Sequence, residues 1–150
     1  MVPSHVLLVA NRTATDPPLI EAVRLRAEQS QAVFHLLVPA TPTGLHRLVD
    51  PEVAGREAAD ERLQLALPAL EDAAGDLVTG HVGDANPLAA IQDALHGRAY
   101  DEIILSTLPW RVSRWMRLDL PSKVRALGVR VTHISATGAE QPARALERVA

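Results

Sequence analysis

Residues 77–106 read LVTGHVGDANPLAAIQDALHGRAYDEIILS, an apolar stretch on each side of a helix-like segment. Asn86 before Pro87 predicts a helix start, because the Asn oxygen accepts an orphan N–H and proline has none to leave unsatisfied. Gly97 predicts the end of that helix, at 87–96. The segment therefore predicts strand, helix and strand, the repeating unit of a parallel sheet.

The same alternation continues along the chain. Strands are predicted at 5–10, 32–38, 77–82, 101–106 and 129–135. The third is the weakest, since Gly80 interrupts it and would suit an edge position. Helices are predicted at 17–30, 51–74, 87–96 and 119–127. This order predicts an α/β domain with a parallel sheet.

Acidic residues are expected to cap the other helices. Asp16-Pro17 and Asp50-Pro51 repeat the pattern of the third helix, and Asp119 is expected to cap the fourth. Pro68 lies inside the second helix and should kink or split it. The expected buried faces are Leu19, Ile20, Val23 and Ala27 on the first helix, and Leu63, Ala66, Leu67, Leu70 and Ala74 on the second.

Composition bounds the class of protein. The chain has 150 residues, enough for one domain, with 47% hydrophobic but only 3% aromatic residues, which indicates an aliphatic core. Without cysteine there are no disulfides or thiolate metal sites. The sequence has neither an apolar run of membrane-spanning length nor a basic leader, so the cytoplasm is the expected location. The net charge of −3 disfavours nucleic-acid binding.

The charge is unevenly distributed. Residues 106–130 contain six basic side chains and one acidic one, a net +5, which leaves −8 for the remainder of the chain with its total of −3. One end of the molecule would then attract anions, although solvated arginines on one helix explain the same pattern. Charged residues 52, 56, 57 and 60–62 of the second helix are interpreted as a solvated face.

Five segments resemble the universal stress protein family. They are HVLLVAN at 5–11, HLLVP at 35–39, VGDANPLAAIQDAL at 82–95, DEIILSTLP at 101–109 and VTHIS at 131–135. The resemblance implies a single-domain five-stranded parallel sheet of order 3-2-1-4-5 with helices on both faces, an adenine-nucleotide alpha-hydrolase-like fold. It also implies dimers, and a family divided into ATP-binding and non-binding members.

The domain is expected to occupy residues 1–135, and residues 136–150 form a polar tail. The last eight residues of this tail suit a short exposed helix, and a frayed end is the alternative.

The ATP-binding motif of that family is degenerate here. Asn11 stands where the resemblance places an Asp, and Ser106 and Pro109 replace two early glycines. Leu118 and Asp119 replace a later glycine and hydroxyl. Glycine lets the backbone approach a phosphate closely, whereas proline removes a donor and Asp119 adds a negative charge at a helix start. A triphosphate held by backbone amides is therefore not expected.

Side chains could replace that loop. In an open parallel sheet, ligands bind beyond the carboxyl ends of the strands. Arg111 and Arg114 are three apart and would share a helical face suited to a phosphate. The candidate cleft for a nucleotide or small anion comprises Ala10, Asn11, Arg12, Val38, Pro39, Gly83, Asp84, Ser106, Thr107, Arg111, Ser113 and Arg114. No catalytic residue is assigned.

Trp110 and Trp115 are five apart, so a regular helix would not place them on one face. They could stack on a planar ligand or anchor an interface, or they could fill the open end of the sheet. The six histidines have no ligand spacing along the chain, so no metal site is predicted.

Three functions remain open from the sequence. The favoured one is a non-enzymatic regulatory or binding domain related to stress, acting as a homodimer through its fifth strand and the Trp/Arg segment. The alternative is a binder of ATP or AMP that uses Arg111 and Arg114, with slow hydrolysis an option. The third is a docking module for an acidic protein partner through residues 110–117.

Overall fold

A computed structural model describes residues 2–41, 51–109 and 112–135. The strands are β1 (Ser4–Val9), β2 (Ala32–Pro39), β3 (Thr79–Gly83), β4 (Glu102–Thr107) and β5 (Arg130–Ser135). The helices are α1 (Pro17–Gln29), α2 (Pro51–Ala74), α3 (Pro87–Gly97), α4 (Arg114–Arg117) and α5 (Leu120–Arg125). The strands form one parallel sheet of order β3-β2-β1-β4-β5, so the predicted fold class and strand order are confirmed.

The central strand divides its side chains between two cores. β1 pairs with β2 on one side and β4 on the other. Val6 and Leu8 pack with residues of α1 and α2, whereas Leu7 and Val9 pack with residues of α3 and α5. Because successive side chains of a strand point to opposite faces, this arrangement requires helices on both faces of the sheet. Both cores are largely aliphatic, as the composition predicts.

Gly80 in the edge strand β3 is required by packing. A Cβ atom there would lie 2.5 Å from Cδ1 of Leu63 and 3.0 Å from the carbonyl oxygen of Leu36. Glycine thus allows α2 to approach the sheet, and β3 forms in spite of the interruption that the sequence suggested. Its edge position is confirmed.

The helix starts differ in how they are capped. Asn86 accepts hydrogen bonds from the backbone N–H groups of Leu88 and Ala89, at 2.9 and 3.1 Å, as predicted. The prediction for Asp16 is wrong, since its side chain makes no capping hydrogen bond. Pro17 and Pro18 supply no N–H, and the N–H of Leu19 donates to the backbone carbonyl of Asp16 instead. Asp50 lies outside the described residues.

Pro68 does not split α2, which is one uninterrupted helix. Pro68 and Gln64 are both exposed, so the Gln64 carbonyl that loses its helical donor faces water. The expected buried face is observed, with Leu63, Ala66 and Leu70 in the core. Within the described residues no helix is both long and apolar enough to cross a membrane.

A largely buried ion pair ties the end of α1 to the start of β4. The Nε of Arg26 lies 2.8 Å from the Oε1 of Glu102, and the two side chains are 12% and 9% exposed. Such a pair depends on both partners, because either charge alone would be buried without compensation.

Candidate functional site

The candidate site lies where the order of the strands reverses. β1 and β4 are neighbours in the sheet, but α1 packs on one face and α4 and α5 on the other. Parallel sheets bind ligands at such a switch point, beyond the carboxyl ends of the strands. A cavity of about 190 Å³ lies there, lined by Asn11, Arg12, Thr13, Thr41, Ser106, Thr107, Leu108, Val112, Ser113, Arg114 and Trp115.

The cavity brings together half of the residues that the sequence proposed. Asn11, Arg12, Ser106, Thr107, Ser113 and Arg114 line it. Among the described candidates, Ala10, Val38, Pro39, Gly83 and Asp84 do not line this cavity. Arg111 and Trp110 lie outside the described residues, as does the tail 136–150.

A second, larger cavity adjoins the first. It has a volume of about 560 Å³ and lies between the start of α3 and the α4–α5 segment. Thr41, Arg114 and Trp115 line both cavities. Lys123 adds a second cation, and the remaining walls are mostly apolar, from Ala85, Pro87, Leu88, Leu118 and Leu120. The larger volume falls within the range of about 300–1,000 Å³ typical of ligand pockets.

Asn11 connects three parts of the site. Its Nδ2 donates a hydrogen bond to the carbonyl oxygen of Pro39 at 2.6 Å, and its Oδ1 accepts one from Nη1 of Arg62. Asn11 is only 7% exposed, and its bond to Pro39 is buried, whereas its bond to Arg62 is partly buried. A carboxylate could accept from Arg62 but has no hydrogen to offer Pro39. Asparagine can therefore make both hydrogen bonds at position 11, whereas aspartate could make only the one to Arg62.

Arg62 was missed by sequence analysis, which placed it on the solvated face of α2. That interpretation is wrong for this residue, because its guanidinium is half-buried against Asn11. The positions of Ala59 and Ala66, both fully buried, could have indicated this. Arg62 lies three residues after Ala59 and four before Ala66, so it is at the border of the buried stripe of α2.

The site concentrates positive charge. Burial lowers the pKa of Arg62, and the nearby charge of Arg12 lowers it further, while Glu61 opposes the effect. Among the described residues, neither of these arginines nor Arg114 forms an ion pair with a carboxylate. Arginines held close together in this way favour an anion, which would relieve their repulsion.

The hydroxyl groups predicted for ligand contact already have protein partners. The Oγ atoms of Thr13 and Ser106 are 2.7 Å apart and buried. Thr107 Oγ1 lies 2.9 Å from Nε2 of His133, and Ser113 Oγ accepts from the N–H of Met116 at 3.1 Å. These groups shape the wall of the cavity, which leaves the arginines as its uncompensated polar groups.

The start of α5 is unsuited to backbone binding of a phosphate. Asp119 has a left-handed conformation, with φ of 55°, and makes no side-chain capping bond, so its predicted capping role is wrong. Its own N–H donates to the carbonyl of Met116, and Pro121 supplies no N–H. Few amide hydrogens remain here for an anion.

Trp115 fills the carboxyl end of the sheet. It is 7% exposed and packs with Leu120 and Val124 in the α3-side core, while an edge of it reaches both cavities. This placement agrees with its interpretation as a filler of the open end. It also leaves aromatic surface at the border between the two cavities.

Comparison with known proteins identifies the fold. No family model matches the chain, and no curated protein matches it. A universal stress protein from Burkholderia pseudomallei has a TM-score of 0.62 at 15% identity, over 89% of this chain and 96% of that one. A universal stress protein in complex with cAMP gives 0.61 at 14% identity, over 89% and 98%. The universal stress protein from Archaeoglobus fulgidus in complex with dAMP gives 0.54 at 16%, over 91% and 98%.

The chain therefore has the fold of universal stress proteins, and the resemblance seen in the sequence is confirmed at the level of the fold.

Proposed function

We propose that this chain is a non-enzymatic binding domain of the universal stress protein fold whose ligand is a nucleoside monophosphate. Arginine side chains take the place of the glycine-rich phosphate loop. The observation that carries the proposal is that the positive charges of Arg12 and Arg62 lie near one another beside Asn11, at the switch point of the sheet.

The phosphate is bound by guanidinium groups. Arg12 and Arg114 line the first cavity, and Arg62 contacts the lining residue Asn11. None of the three has a carboxylate partner in the described part of the chain. A guanidinium forms paired, charge-assisted hydrogen bonds with phosphate oxygens, each stronger than a neutral hydrogen bond. In this view Arg62 replaces Arg111 as the second cation beside Arg114.

The size of the site favours one phosphate over three. The first cavity, at about 190 Å³, is too small for a whole nucleotide, and the adjoining cavity of about 560 Å³ accepts the base and sugar. Two of the similar structures are complexes with cAMP and dAMP, which each contain one phosphate. Without glycines at 106 and 109, a triphosphate has no backbone cradle.

The domain acts as a cytoplasmic homodimer that reports on the level of its ligand. β5 is an edge strand of the sheet and is available for pairing with a second copy. No catalytic group is proposed.

A second candidate function is docking of an acidic, amphipathic protein segment. It is favoured by the second cavity, where Trp115 and Leu118 lie beside Arg114 and Lys123 and no carboxylate is among the lining residues. An acidic side chain on a partner would pair with the cations while its apolar neighbours enter the cavity.

Calorimetry tests the main proposal. We expect AMP, dAMP or cAMP to bind more tightly than ATP, and adenosine to bind more weakly than either kind of nucleotide. Arg62→Gln and Arg12→Gln should each weaken monophosphate binding by about 10-fold or more, since a charge-assisted hydrogen bond contributes about 1.5–3 kcal/mol. Arg56→Gln is the matched control, because Arg56 lies on the same helix and is exposed.

Two results would reject the proposal: no heat with any monophosphate, or equal affinities in Arg62→Gln and Arg56→Gln. A preference for ATP would reject the single-phosphate assignment. Release of ADP from ATP would reject the non-enzymatic assignment. Binding of an alternating Glu/Leu peptide that Lys123→Gln abolishes, with no nucleotide binding, would favour docking.

A further inference from the structure

Two histidines meet near the edge of the sheet, away from the cavities. His35 of β2 and His81 of β3 approach to 2.6 Å between Nε2 and Nδ1, and their ring centroids are 4.9 Å apart. The strand register pairs His35 with Thr79, and Leu37 with His81, so the histidines are diagonal neighbours on one face. They are 46 positions apart in sequence, which explains why spacing along the chain did not reveal them.

We propose that His35 and His81 bind one divalent first-row transition-metal ion, Cu²⁺ or Zn²⁺, through the two nitrogens that face each other, with water completing the coordination.

The first argument is the orientation of His35. Its Nδ1 lies 2.6 Å from the hydroxyl of Thr79. In the tautomer that binds the metal, Nδ1–H donates to this hydroxyl and the lone pair is on Nε2, the nitrogen directed at His81. Histidines that bind metals commonly donate their other ring N–H to such a partner, which fixes the tautomer and the ring. Thr79 is therefore a positioning residue for the metal ligand.

The second argument is the balance of protons. Each neutral imidazole has one lone pair, and the metal ion needs a lone pair on both of the facing nitrogens. Without metal, one proton lies between the facing nitrogens. The ion replaces it as two metal–nitrogen bonds form, and the proton moves to Nε2 of His81.

The third argument is distance. Metal–nitrogen bonds of about 2.0–2.1 Å at a right or tetrahedral angle separate the two nitrogens by about 3 Å. The observed 2.6 Å needs only a small opening, and His81 is exposed enough to rotate.

The neighbouring residues determine the affinity and the coordination of the proposed metal site. Tyr100 lies beside His35, with ring centroids 6.5 Å apart, and Arg98 contacts His5 at 3.3 Å. The positive charge of Arg98 opposes a cation and makes binding moderate. No group of three or more His, Cys, Asp or Glu residues is found in the described part of the chain, so the ion keeps open positions, unlike a closed structural zinc site. Copper should bind more tightly than zinc.

The test is titration of the whole chain with CuSO₄ or ZnCl₂ in a buffer that does not bind metals, followed by calorimetry and by electron paramagnetic resonance for Cu²⁺. We expect one saturable equivalent and a spectrum with two nitrogen ligands. His35→Gln and His81→Gln should each weaken binding at least about 10-fold, and Thr79→Val should weaken it with both ligands kept.

His96→Gln is the control, because His96 is an exposed residue at the end of α3. Circular dichroism confirms that each variant is folded, and the exposed position of His81 makes its variant the decisive one. Absence of a saturable equivalent overturns the proposal. So does equal Cu²⁺ affinity in His81→Gln and the unmodified chain, since other ligands would then hold the ion.

Discussion

Replacement of Asn11 by Ala should destabilise the fold through two lost hydrogen bonds. The Pro39 carbonyl loses a donor at 2.6 Å, and Pro39 is buried, so the group is left unsatisfied at a cost of about 1–3 kcal/mol. Arg62 loses its bond to the Asn11 oxygen, but water can reach the half-buried guanidinium, so this loss adds only about 1 kcal/mol. The free energy of unfolding should therefore fall by about 2–4 kcal/mol.

Urea unfolding measures this change directly. With a slope of about 2 kcal/mol per molar urea, the midpoint should fall by about 1–2 M while the slope stays constant. Asn11→Asp is the informative comparison, because the carboxylate keeps an acceptor for Arg62 and loses only the donor to Pro39. It should be less destabilised than Asn11→Ala. A midpoint shift under about 0.3 M in Asn11→Ala would refute the reasoning, since it would mean that neither bond stabilises the fold.

Three other changes test the fold. Glu102→Ala leaves the largely buried charge of Arg26 without a carboxylate, with only its hydrogen bonds to Ser30, and should lower the free energy of unfolding by about 3 kcal/mol; a loss below about 1 kcal/mol in urea would contradict this. Gly80→Ala places a methyl group 3.0 Å from the Leu36 carbonyl oxygen and should cost about 1–3 kcal/mol; unchanged thermal stability would show that the contact relaxes freely. The pKa of His35 is lowered to about 4 in the fold, so the unfolded chain binds more protons between pH 4 and 6.5. Stability should fall as pH falls through that window, and His35→Gln should flatten the slope; an equal slope in both chains would argue against it.

The fold was predictable because its signals are local. Each strand is a short aliphatic run, and Asn86-Pro87 marks a helix start without reference to the rest of the chain. Strand order came from the resemblance, since nothing in a local pattern specifies which strands are neighbours. The split predicted at Pro68 does not occur, because a helix can continue past a proline where the freed carbonyl belongs to an exposed residue, here Gln64.

Capping shows where local reasoning fails. Asp16-Pro17 and Asn86-Pro87 look equivalent, but only Asn86 caps with its side chain. The difference is Pro18, which removes one of the N–H groups that an N-cap side chain can reach. The residue after the Asp-Pro or Asn-Pro pair, Pro18 or Leu88, therefore determines whether the side chain can cap the helix.

The site was predictable in part. Topology alone placed Asn11, Ser106 and Ser113 at the carboxyl edge, and all three line the cavity. Arg62 was missed because charge on a helix usually marks its solvated face, and its role depends on how α2 is rotated against β2. The contact of His81 with His35 was missed because it depends on the register of β2 and β3, which no single residue determines.

Exchange of a backbone cradle for arginine side chains changes what a site can select. Backbone amides are fixed by the fold, so each N–H group donates to a particular oxygen of a phosphate chain. Guanidinium groups instead respond to charge and planar geometry, and they lose side-chain entropy when they bind. Of the site arginines that the structure describes, Arg12, Arg62 and Arg114, only Arg62 is held in advance, by its hydrogen bond to Asn11. Affinity should therefore depend on that one bond more than on the number of arginines, and it should weaken as salt screens the partly exposed pair of Arg12 and Arg62.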